Sequence, residues 1–294
     1  MRIETDADVT TAVLEAMSRT PDPRIREVTQ ALVRHLHAFV REIRPSEQEF
    51  EQGLEYLARI GQAMSPTHNE AVLTSDVLGI STLVCLLNNG QGGATETAAA
   101  LLGPFWRDNS PLTADGGSMI RGETHGPRLM AHCAVLAGGQ PVADARVDVW
   151  HSSIDGFYEN QVEDAPDMNL RGQLRTDAQG RFSFFTALPA GYPIPTHGPS
   201  GDMLRAQLRH PMRPAHLHFL IHKKGFKTLV TQVFIDSDPH LDSDVVFGVT
   251  SALIGDYRKS EKPAPDGSGE EFYELDYAFH LEPGEARLPA PPIA

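Results

Sequence analysis

The apolar residues of the first hundred positions recur three and four residues apart, the spacing that places them on one side of an α-helix. The clearest stripe runs from residue 25 to residue 43, with Pro21 and Pro23 at its start and Pro45 beyond its end. Because proline fits the first turn of a helix and interrupts its interior, these residues mark the predicted ends. The stripe consists of Ile25, Val28, Leu32, Val33, Leu36, Phe39, Val40 and Ile43.

Two capping boxes predict where further helices begin. Ser46 with Glu49, and Thr67 with Glu70, have the spacing at which the two side chains bond each other's backbone N–H groups. We expect the second of these helices to continue to the glycine-rich stretch 88–93, where it stops. Its apolar residues are Leu73, Val77, Ile80 and Val84.

From about residue 115 the period changes from helical to alternating. A short helix over 95–102 is predicted to precede this change. Short β-branched and aromatic segments, separated by glycine and proline, then recur at the intervals typical of a sandwich. They cover residues 146–150, 181–185, 215–220, 229–235 and 271–280. The predicted fold is therefore mainly β, an antiparallel β-sandwich over 105–294 preceded by an α-helical N-terminal module over 1–104.

The composition limits the classes of function. The chain has 294 residues and a formal net charge of −14, which disfavours a nucleic-acid or anionic-membrane surface. Its two cysteines, Cys85 and Cys133, lie in apolar runs and are expected to be buried thiols in a reducing compartment. Without an apolar signal core or an 18-residue apolar run, the chain is expected to be cytoplasmic.

The segment 212–219 carries the pattern His216-Leu217-His218. Residues two apart in a strand point to the same face, so both imidazoles could bind one metal ion. The opposite face would carry Leu217, Phe219 and Ile221. Paired strand histidines also occur as ordinary core or surface residues, and His222 shares the same face, so the pattern alone leaves both interpretations open.

Two of the six tyrosines occupy loop-like settings that each follow a predicted strand, in Gly156-Phe157-Tyr158 and Gly191-Tyr192-Pro193. Loops held by a rigid sandwich often carry ligands, although a tyrosine can also simply cap the edge of a core. Two phenolates and two imidazoles would suit Fe(III), a hard ion that prefers anionic oxygen. A site of two histidines and one carboxylate for Fe(II) is the alternative, but no acidic residue stands out as the third ligand.

Several ordered motifs resemble those of the intradiol ring-cleaving dioxygenases, and the similarity extends over nearly the whole chain. They are Leu102-Gly103-Pro104-Phe105-Trp106, Val147-Asp148-Val149-Trp150-His151, Asp155-Gly156-Phe157-Tyr158, Gly191-Tyr192-Pro193-Ile194-Pro195, Gly198-Pro199, Arg213-Pro214-Ala215-His216-Leu217-His218 and Thr231-Gln232-Val233-Phe234. The resemblance implies cleavage of an aromatic ring between adjacent hydroxyls with O₂.

The resemblance also implies site residues. One Fe(III) per subunit would be bound by Tyr158, Tyr192, His216 and His218. Tyr192 would leave the metal when the diol binds and would take a substrate proton. Arg213 would stabilise the carbanionic form of the substrate, although a surface ion pair is the plainer reading of an arginine. Gln232 would not bind the metal but would form a hydrogen bond that supports the metal ligands. Trp150 and His151 are expected to be structural.

Within the family the chain is most similar to the branch that acts on hydroxyquinol, benzene-1,2,4-triol, whose product is 3-hydroxy-cis,cis-muconate or its tautomer maleylacetate. The implied pocket residues are Leu73, Asp76, Leu102, Gly103, Pro104, Phe105, Ile194, Pro195, Arg213 and Val246. Asp76 is the polar exception among the wall residues, and we hypothesise that it accepts a hydrogen bond from the third hydroxyl. An ordinary helix-surface aspartate is the alternative.

Other functions remain open at this level. A catechol or chlorocatechol 1,2-dioxygenase would use the same iron chemistry with a different pocket. A transthyretin-like sandwich that acts only as a binding module would also fit the strand pattern, including the turn at 177–182. The resemblance further implies that the helical module forms a homodimer, with a phospholipid at the interface. The apolar stripe of residues 25–43 is compatible with that and with ordinary packing onto the sandwich.

Overall fold

The computed structural model describes residues 2–65, 68–89 and 97–292. Six α-helices occur in these ranges. They are α1 Asp6–Met17, α2 Pro23–Ile43, α3 Glu47–Gln62, α4 Glu70–Val77, α5 Ile80–Asn89 and α6 Pro199–Ala206. The predicted stripe helix is confirmed as α2, which has a proline in its first turn and whose N-cap Asp22 accepts from two backbone N–H groups.

The remaining helix predictions are partly confirmed. The backbone N–H of Ser46 donates to the Glu49 carboxylate at 2.8 Å and the backbone N–H of Glu49 donates to Ser46 Oγ at 3.3 Å, the two bonds of the predicted capping box. The single helix predicted through residues 73–84 is wrong, because Gly79 adopts a left-handed φ of 71° and separates α4 from α5. The short helix at 95–102 is also wrong over residues 97–102, which are not helical. Thr67 and residues 90–96 lie outside the described residues.

The described residues contain thirteen strands. They are β1 Gly117–Ser118, β2 Arg128–Ala137, β3 Gln140–Pro141, β4 Arg146–Trp150, β5 Arg171–Arg175, β6 Arg181–Ala187, β7 Tyr192–Pro193, β8 Met212–Arg213, β9 His216–His222, β10 Leu229–Ile235, β11 Ile254–Gly255, β12 Tyr257–Lys259 and β13 Phe272–His280. One sheet has the order β1-β6-β2-β13-β12, with β3 beside β2, and the second has the order β11-β10-β9-β4-β5. A separate ribbon pairs β7 with β8.

The predicted sandwich is confirmed, but its sheets are mixed rather than wholly antiparallel. The longest pairing, β2 with β13, is parallel, as are β1 with β6 and β10 with β11. Parallel partners need a long connection, so these pairings join strands that are distant in sequence or linked by long loops. Such pairings leave no mark on the alternation of a single strand.

Aromatic side chains from the two sheets form the centre of the core. Phe184 of one sheet packs 6.2 Å, centroid to centroid, from Phe219 of the other, and Phe219 packs 4.7 Å from Phe279. All three rings are fully buried. Cys133 is buried in the same cluster, and Cys85, expected to be buried, is only partly buried and packs against it. The strands predicted from alternation therefore enclose one continuous apolar layer.

The chain divides into two compact units, Met1–Ala58 and Arg59–Ala294. The first unit holds α1, α2 and most of α3, and the second holds α4 to α6 and all the strands. The predicted division into a dimerisation module over 1–104 and a catalytic domain over 105–294 remains a prediction. No single described helix could span a membrane by length and apolar character, although Glu70–Val77 and Ile80–Asn88, bent by 79°, meet those criteria as a pair.

Candidate metal centre and substrate pocket

The two histidines of the His-x-His pattern lie on β9, between β10 and β4. Both side chains are 1% exposed and share one face, whereas the intervening residues Leu217, Phe219 and Ile221 belong to the main core. The Nε2 atoms of His216 and His218 lie 3.1 Å apart. His222 on the same strand instead contacts Thr228, so it is not part of this pair. The period-two prediction is confirmed for His216 and His218 as a geometric pair.

Hydrogen bonds and burial prepare this histidine pair to bind a cation. His216 Nδ1 lies 2.7 Å from the Pro214 carbonyl, so Nδ1 carries the proton and Nε2 keeps its lone pair. Burial first, and then the charge of Arg213, lowers the pKa of His216 to about 3. Burial, followed by its neighbour His216, also holds the pKa of His218 well below its usual value. Both rings are therefore neutral, which is the form that binds metal.

The two loop tyrosines meet beside the histidines. The Tyr158 hydroxyl donates to the Tyr192 hydroxyl at 3.4 Å, and the two rings are edge to face at 5.6 Å. The Tyr192 ring lies 5.6 Å from His216, and the Tyr158 ring 6.5 Å from His218. Gly156, with φ of 79°, makes this approach possible, since a Cβ there would lie 3.0 Å from Tyr192 Cβ.

The four side chains form a buried set of two oxygen and two nitrogen donors. Within the described part of the chain, each tyrosine hydroxyl has only the other as a hydrogen-bond partner. Burial, and then Tyr192, raises the pKa of Tyr158 well above its ordinary value, so without a cation this phenol stays protonated. A nearby trivalent or divalent ion would reverse that preference. The donor set therefore fits a metal ion better than it fits an empty core.

The alternative site of two histidines and one carboxylate is not supported. In residues 2–65, 68–89 and 97–292, no three His, Cys, Asp or Glu side chains cluster in a way that could hold a metal. Asp244, a buried carboxylate that interacts with His216, is held by Arg213 at 3.1 Å. The tyrosines are thus the groups that complete the set.

Arg213 is buried against the histidines rather than exposed in a surface ion pair. Its guanidinium donates to both carboxylate oxygens of Asp244 at 3.1 and 3.2 Å and to Gln232 Oε1 at 2.9 Å. It also lies 3.3 Å from His216 Nε2. Burial alone would lower the pKa of Arg213, but Asp244, Tyr192 and Tyr158 together outweigh it and the pKa rises. The site therefore keeps a fixed positive charge, and Asp244, which no sequence pattern indicated, holds it there.

Gln232 connects the arginine to the second histidine. Its Nε2 donates to the Leu101 carbonyl at 2.8 Å and lies 3.3 Å from His218 Nδ1. The strand register explains this position, because Gln232 of β10 lies directly opposite His218 of β9. On the other side of β9, Trp150 of β4 is in register with His218 and stacks on its ring at 4.7 Å. His218 is consequently held from both neighbouring strands.

The predicted pocket residues gather in two groups around this centre. Phe105 stacks on Tyr158 at 4.2 Å and Leu102 packs against the same aromatic cluster. Gly103 lies so close to His218 that a Cβ would be 3.3 Å from its Cε1 atom. A second apolar cluster contains the predicted residues Leu73, Ile194 and Val246. Pro104 is exposed and Pro195 is half-buried, and their place in the pocket remains a prediction.

Asp76 lies on α4 and is partly buried. Burial raises the pKa of Asp76, while the charge of Arg213 lowers it and that of Asp244 raises it. These electrostatic interactions place the carboxyl in the neighbourhood of the Arg213–Asp244 pair. An ordinary surface aspartate would be solvated, so the structure favours a role within the pocket.

His151 has a structural position, as predicted. Its Nδ1 lies 2.7 Å from the Ser152 carbonyl and its Nε2 lies 2.8 Å from the Thr186 hydroxyl. Burial lowers the pKa of His151 to about 4, so the ring is neutral. With both nitrogens bonded to protein groups, His151 has no lone pair to offer a metal.

A buried ion network behind Tyr158 was missed by sequence reasoning. Arg171, on β5, donates to Glu159 at 2.6 Å and also to the Phe105 carbonyl, and Arg107 donates to the same carboxylate at 3.0 Å. Glu159 follows Tyr158 in the chain, and the Arg171 guanidinium lies 5.8 Å from the Tyr158 ring. The network therefore anchors both Tyr158 and the Phe105 that stacks on it.

Comparison with known proteins identifies the family of the chain. Residues 101–283 match the family model described as "Dioxygenase", and residues 22–95 match "Catechol dioxygenase N terminus". A 6-chlorohydroxyquinol 1,2-dioxygenase of Cupriavidus pinatubonensis is 41% identical over 94% of this chain and 97% of its own length. A hydroxyquinol 1,2-dioxygenase of Nocardioides simplex is 40% identical over 90% of each chain.

Solved structures give the same result for the fold. Hydroxyquinol 1,2-dioxygenase of Pseudomonas putida superposes with a TM-score of 0.86 at 38% identity, covering 95% of this chain and 99% of that one. Catechol 1,2-dioxygenase of Pseudomonas arvilla superposes with a TM-score of 0.81 at 28% identity, covering 98% and 97%. The two-sheet sandwich, the helical N-terminal part and the matched sequence models lead to one conclusion: the chain belongs to the intradiol ring-cleaving dioxygenase family.

Proposed function

We propose that this dioxygenase cleaves hydroxyquinol between its adjacent hydroxyls and yields 3-hydroxy-cis,cis-muconate, the tautomer of maleylacetate. The observation that carries the proposal is the buried set of Tyr158, Tyr192, His216 and His218, beside which Arg213 and Asp76 supply the polar groups. The relatives that are about 40% identical over most of the chain and are named for hydroxyquinols support this substrate over a plain catechol.

The same four residues would hold one Fe(III) ion per subunit. Two phenolate oxygens compensate two of its three charges, and the neutral imidazoles complete a set that a hard ion accepts. When bound, Fe(III) would supply a trivalent charge that holds both diol oxygens and withdraws electron density from the ring. The Tyr158 phenol, whose pKa burial raises, would lose its proton in exchange for that charge.

The chain's own groups would handle the protons and charge of the substrate. We assign to Tyr192 the acceptance of a substrate proton at its phenolate oxygen, because its ring lies 5.6 Å from both His216 and Tyr158. Arg213 lies opposite it in the β7–β8 register and keeps its charge at every physiological pH. That charge would stabilise the ketonised carbanion of the diol. Leu102, Phe105 and Trp150 exclude water from around the ligands.

Asp76 would accept a hydrogen bond from the third hydroxyl of hydroxyquinol. We expect Asp76→Ala to lower kcat/KM for hydroxyquinol by about tenfold or more. Catechol turnover should change by less than about threefold, because catechol lacks the third hydroxyl and makes no hydrogen bond to Asp76. The measurement is steady-state turnover of both substrates by wild type and variant. An equal loss on both substrates would contradict the assignment.

Side-by-side rates on hydroxyquinol, catechol and a chlorocatechol test the proposed substrate. The iron-loaded protein should have its highest kcat/KM for hydroxyquinol. A preference for catechol or chlorocatechol would assign the same chemistry to a different pocket. A protein that binds no iron and turns over none of the three would support a transthyretin-like binding module instead.

We further propose that the chain forms a homodimer through α2, with a phospholipid at the interface. Seven apolar residues of this helix are about half exposed. They are Ile25, Val28, Leu32, Leu36, Phe39, Val40 and Ile43. An exposed apolar patch of this kind marks an interaction site in a soluble protein. Light scattering should give twice the chain mass of 32.2 kDa, and mass spectrometry of an organic extract should detect the lipid. A monomer mass would contradict the dimer.

A further inference from the structure

Arg209 joins two segments of chain that both carry predicted pocket residues. One guanidinium nitrogen donates to the Val77 carbonyl at 2.8 Å, and the other donates to the Val245 carbonyl at 2.8 Å. Val77 is the last residue of α4, where carbonyls lack partners within the helix and carry a partial negative charge. Asp76 precedes Val77 and Val246 follows Val245, so the planar fork of Arg209 fixes the end of α4 relative to Val245 and Val246, with which Val77 shares an apolar cluster.

The loop of residues 244–248, which contains Val246, contacts the Arg209 side chain. The Arg209 guanidinium carbon lies 4.9 Å from the centre of the Phe247 ring, a cation–π contact. Phe247 has a φ of 58°, an unfavourable region for a residue with a side chain, so surrounding contacts must hold it there. The backbone N–H groups of Val246 and Gly248 donate to the Asp244 carboxylate at 3.3 and 3.0 Å, which closes the turn.

The α4 side is equally close to this loop. Gly79, at the break between α4 and α5, has a φ of 71°, and a Cβ there would lie 3.3 Å from the Phe247 ring. Thr82 of α5 donates its hydroxyl to the Val246 carbonyl at 2.9 Å. The break between α4 and α5, which the sequence did not predict, therefore leaves room for the Phe247 ring beside Gly79.

The charge of Arg209 is directed at these carbonyls and at one aromatic ring. Among the ion pairs of the described residues, none includes Arg209. Its remaining partner is the side chain of Gln207 at 3.2 Å. Removal of the guanidinium therefore breaks the bridge between the Val77 and Val245 carbonyls without leaving a carboxylate unpaired. The four donor residues are not changed.

We propose that Arg209 is a positioning residue for substrate preference, which acts by holding the end of α4, with Asp76, in a fixed position relative to Val246. This inference rests on the proposed function, because it assigns Asp76 to the third hydroxyl of hydroxyquinol.

The test compares Arg209→Met and Arg209→Lys with wild type in the iron-loaded full chain. We expect Arg209→Met to raise KM for hydroxyquinol about tenfold and to reduce its preference over catechol by a similar factor, with kcat within about threefold of wild type. The visible phenolate–iron band should not shift, since the donor residues are intact. Lysine keeps the charge but cannot bridge both carbonyls, so Arg209→Lys should lie between the two.

Two further variants make the result decisive. Arg175 is an exposed residue of β5 that pairs with Asp144 at 3.1 Å. Arg175→Met should change neither KM for hydroxyquinol nor the preference for hydroxyquinol over catechol. Gly79→Ala, which crowds the Phe247 ring, should shift preference in the same direction as Arg209→Met. If Arg209→Met does not fold, Arg209→Lys and Gly79→Ala decide the matter by the same criterion.

Three results would overturn the inference or separate it from the proposed function. Unchanged KM and preference in the arginine variants would refute it. A large fall in kcat together with loss of the iron band would assign Arg209 to general scaffolding and would also refute it. A wild-type protein that prefers catechol would refute the proposed substrate itself, which is a different failure.

Discussion

Tyr158→Phe should shift and weaken the visible phenolate–iron band of the loaded protein, because only the Tyr192 phenolate remains, and lower kcat/KM by more than about 100-fold. Loss of groups behind a metal ligand typically costs about 10–100-fold, so loss of a ligand should cost more. The variant should nevertheless fold normally without metal, because the Tyr158 hydroxyl has only a 3.4 Å contact with Tyr192 within the described part of the chain. Absorbance, iron content and turnover are the measurements.

Tyr257→Phe is the matched control for this variant. Tyr257 is also buried, but its hydroxyl donates to the Val233 carbonyl at 3.0 Å inside the sandwich, away from the donor set. Its loss should cost about 1 kcal/mol of unfolding free energy and leave iron binding and turnover unchanged. If Tyr158→Phe kept the wild-type position and intensity of the phenolate–iron band and the wild-type activity, while Tyr257→Phe behaved as expected, Tyr158 would not be a ligand.

Arg213→Met should lower kcat by about 10²–10³-fold, the range seen when a preorganised charge or hydrogen-bond donor is removed from a transition state. It should also destabilise the protein, because Asp244 would remain buried without its partner, which typically costs about 3–5 kcal/mol. Burial alone raises the pKa of Asp244, and Arg213 is what lowers it. In the variant this carboxyl should therefore become protonated more readily.

Arg128→Met separates the catalytic effect from the loss of stability. Arg128, on β2, is nearly as buried as Arg213 and pairs with Asp266 at 2.7 Å, but Asp266 is partly exposed whereas Asp244 is buried. Loss of Arg128 should destabilise the protein, although by less than the loss of Arg213, and leave kcat unchanged. Urea unfolding and steady-state kinetics of both variants provide the comparison. Equal effects on kcat would show that Arg213 contributes only stability.

The parts of the fold that depend on local spacing were predictable from the sequence. The α2 stripe and the ends of β4 and β10 follow from periods of 3.6 and 2.0, and the same period of two placed His216 and His218 on one face. The single helix expected through Gly79 failed because its break depends on a left-handed residue packed on Phe247, which is distant in sequence. Parallel pairings such as β2 with β13 were missed for the same reason.

The candidate site divides in the same way. Tyr158 and Tyr192 have no periodic signature, and only the motifs around them indicated a role. Asp244 and Arg171 escaped prediction because a buried ion pair is made by residues far apart in sequence, and neither position differs locally from a surface charge. Such supporting residues become visible only when the fold brings the partners together.

The central claim is intradiol cleavage of hydroxyquinol, and the most direct measurement is the product formed by the iron-loaded protein under O₂. One O₂ should be consumed for each ring opened, and mass spectrometry should find 3-hydroxy-cis,cis-muconate or maleylacetate, in which both ends of the broken bond are carboxylates. A semialdehyde, which marks cleavage beside the diol rather than within it, would contradict the account. So would the absence of any ring-opened product after iron loading.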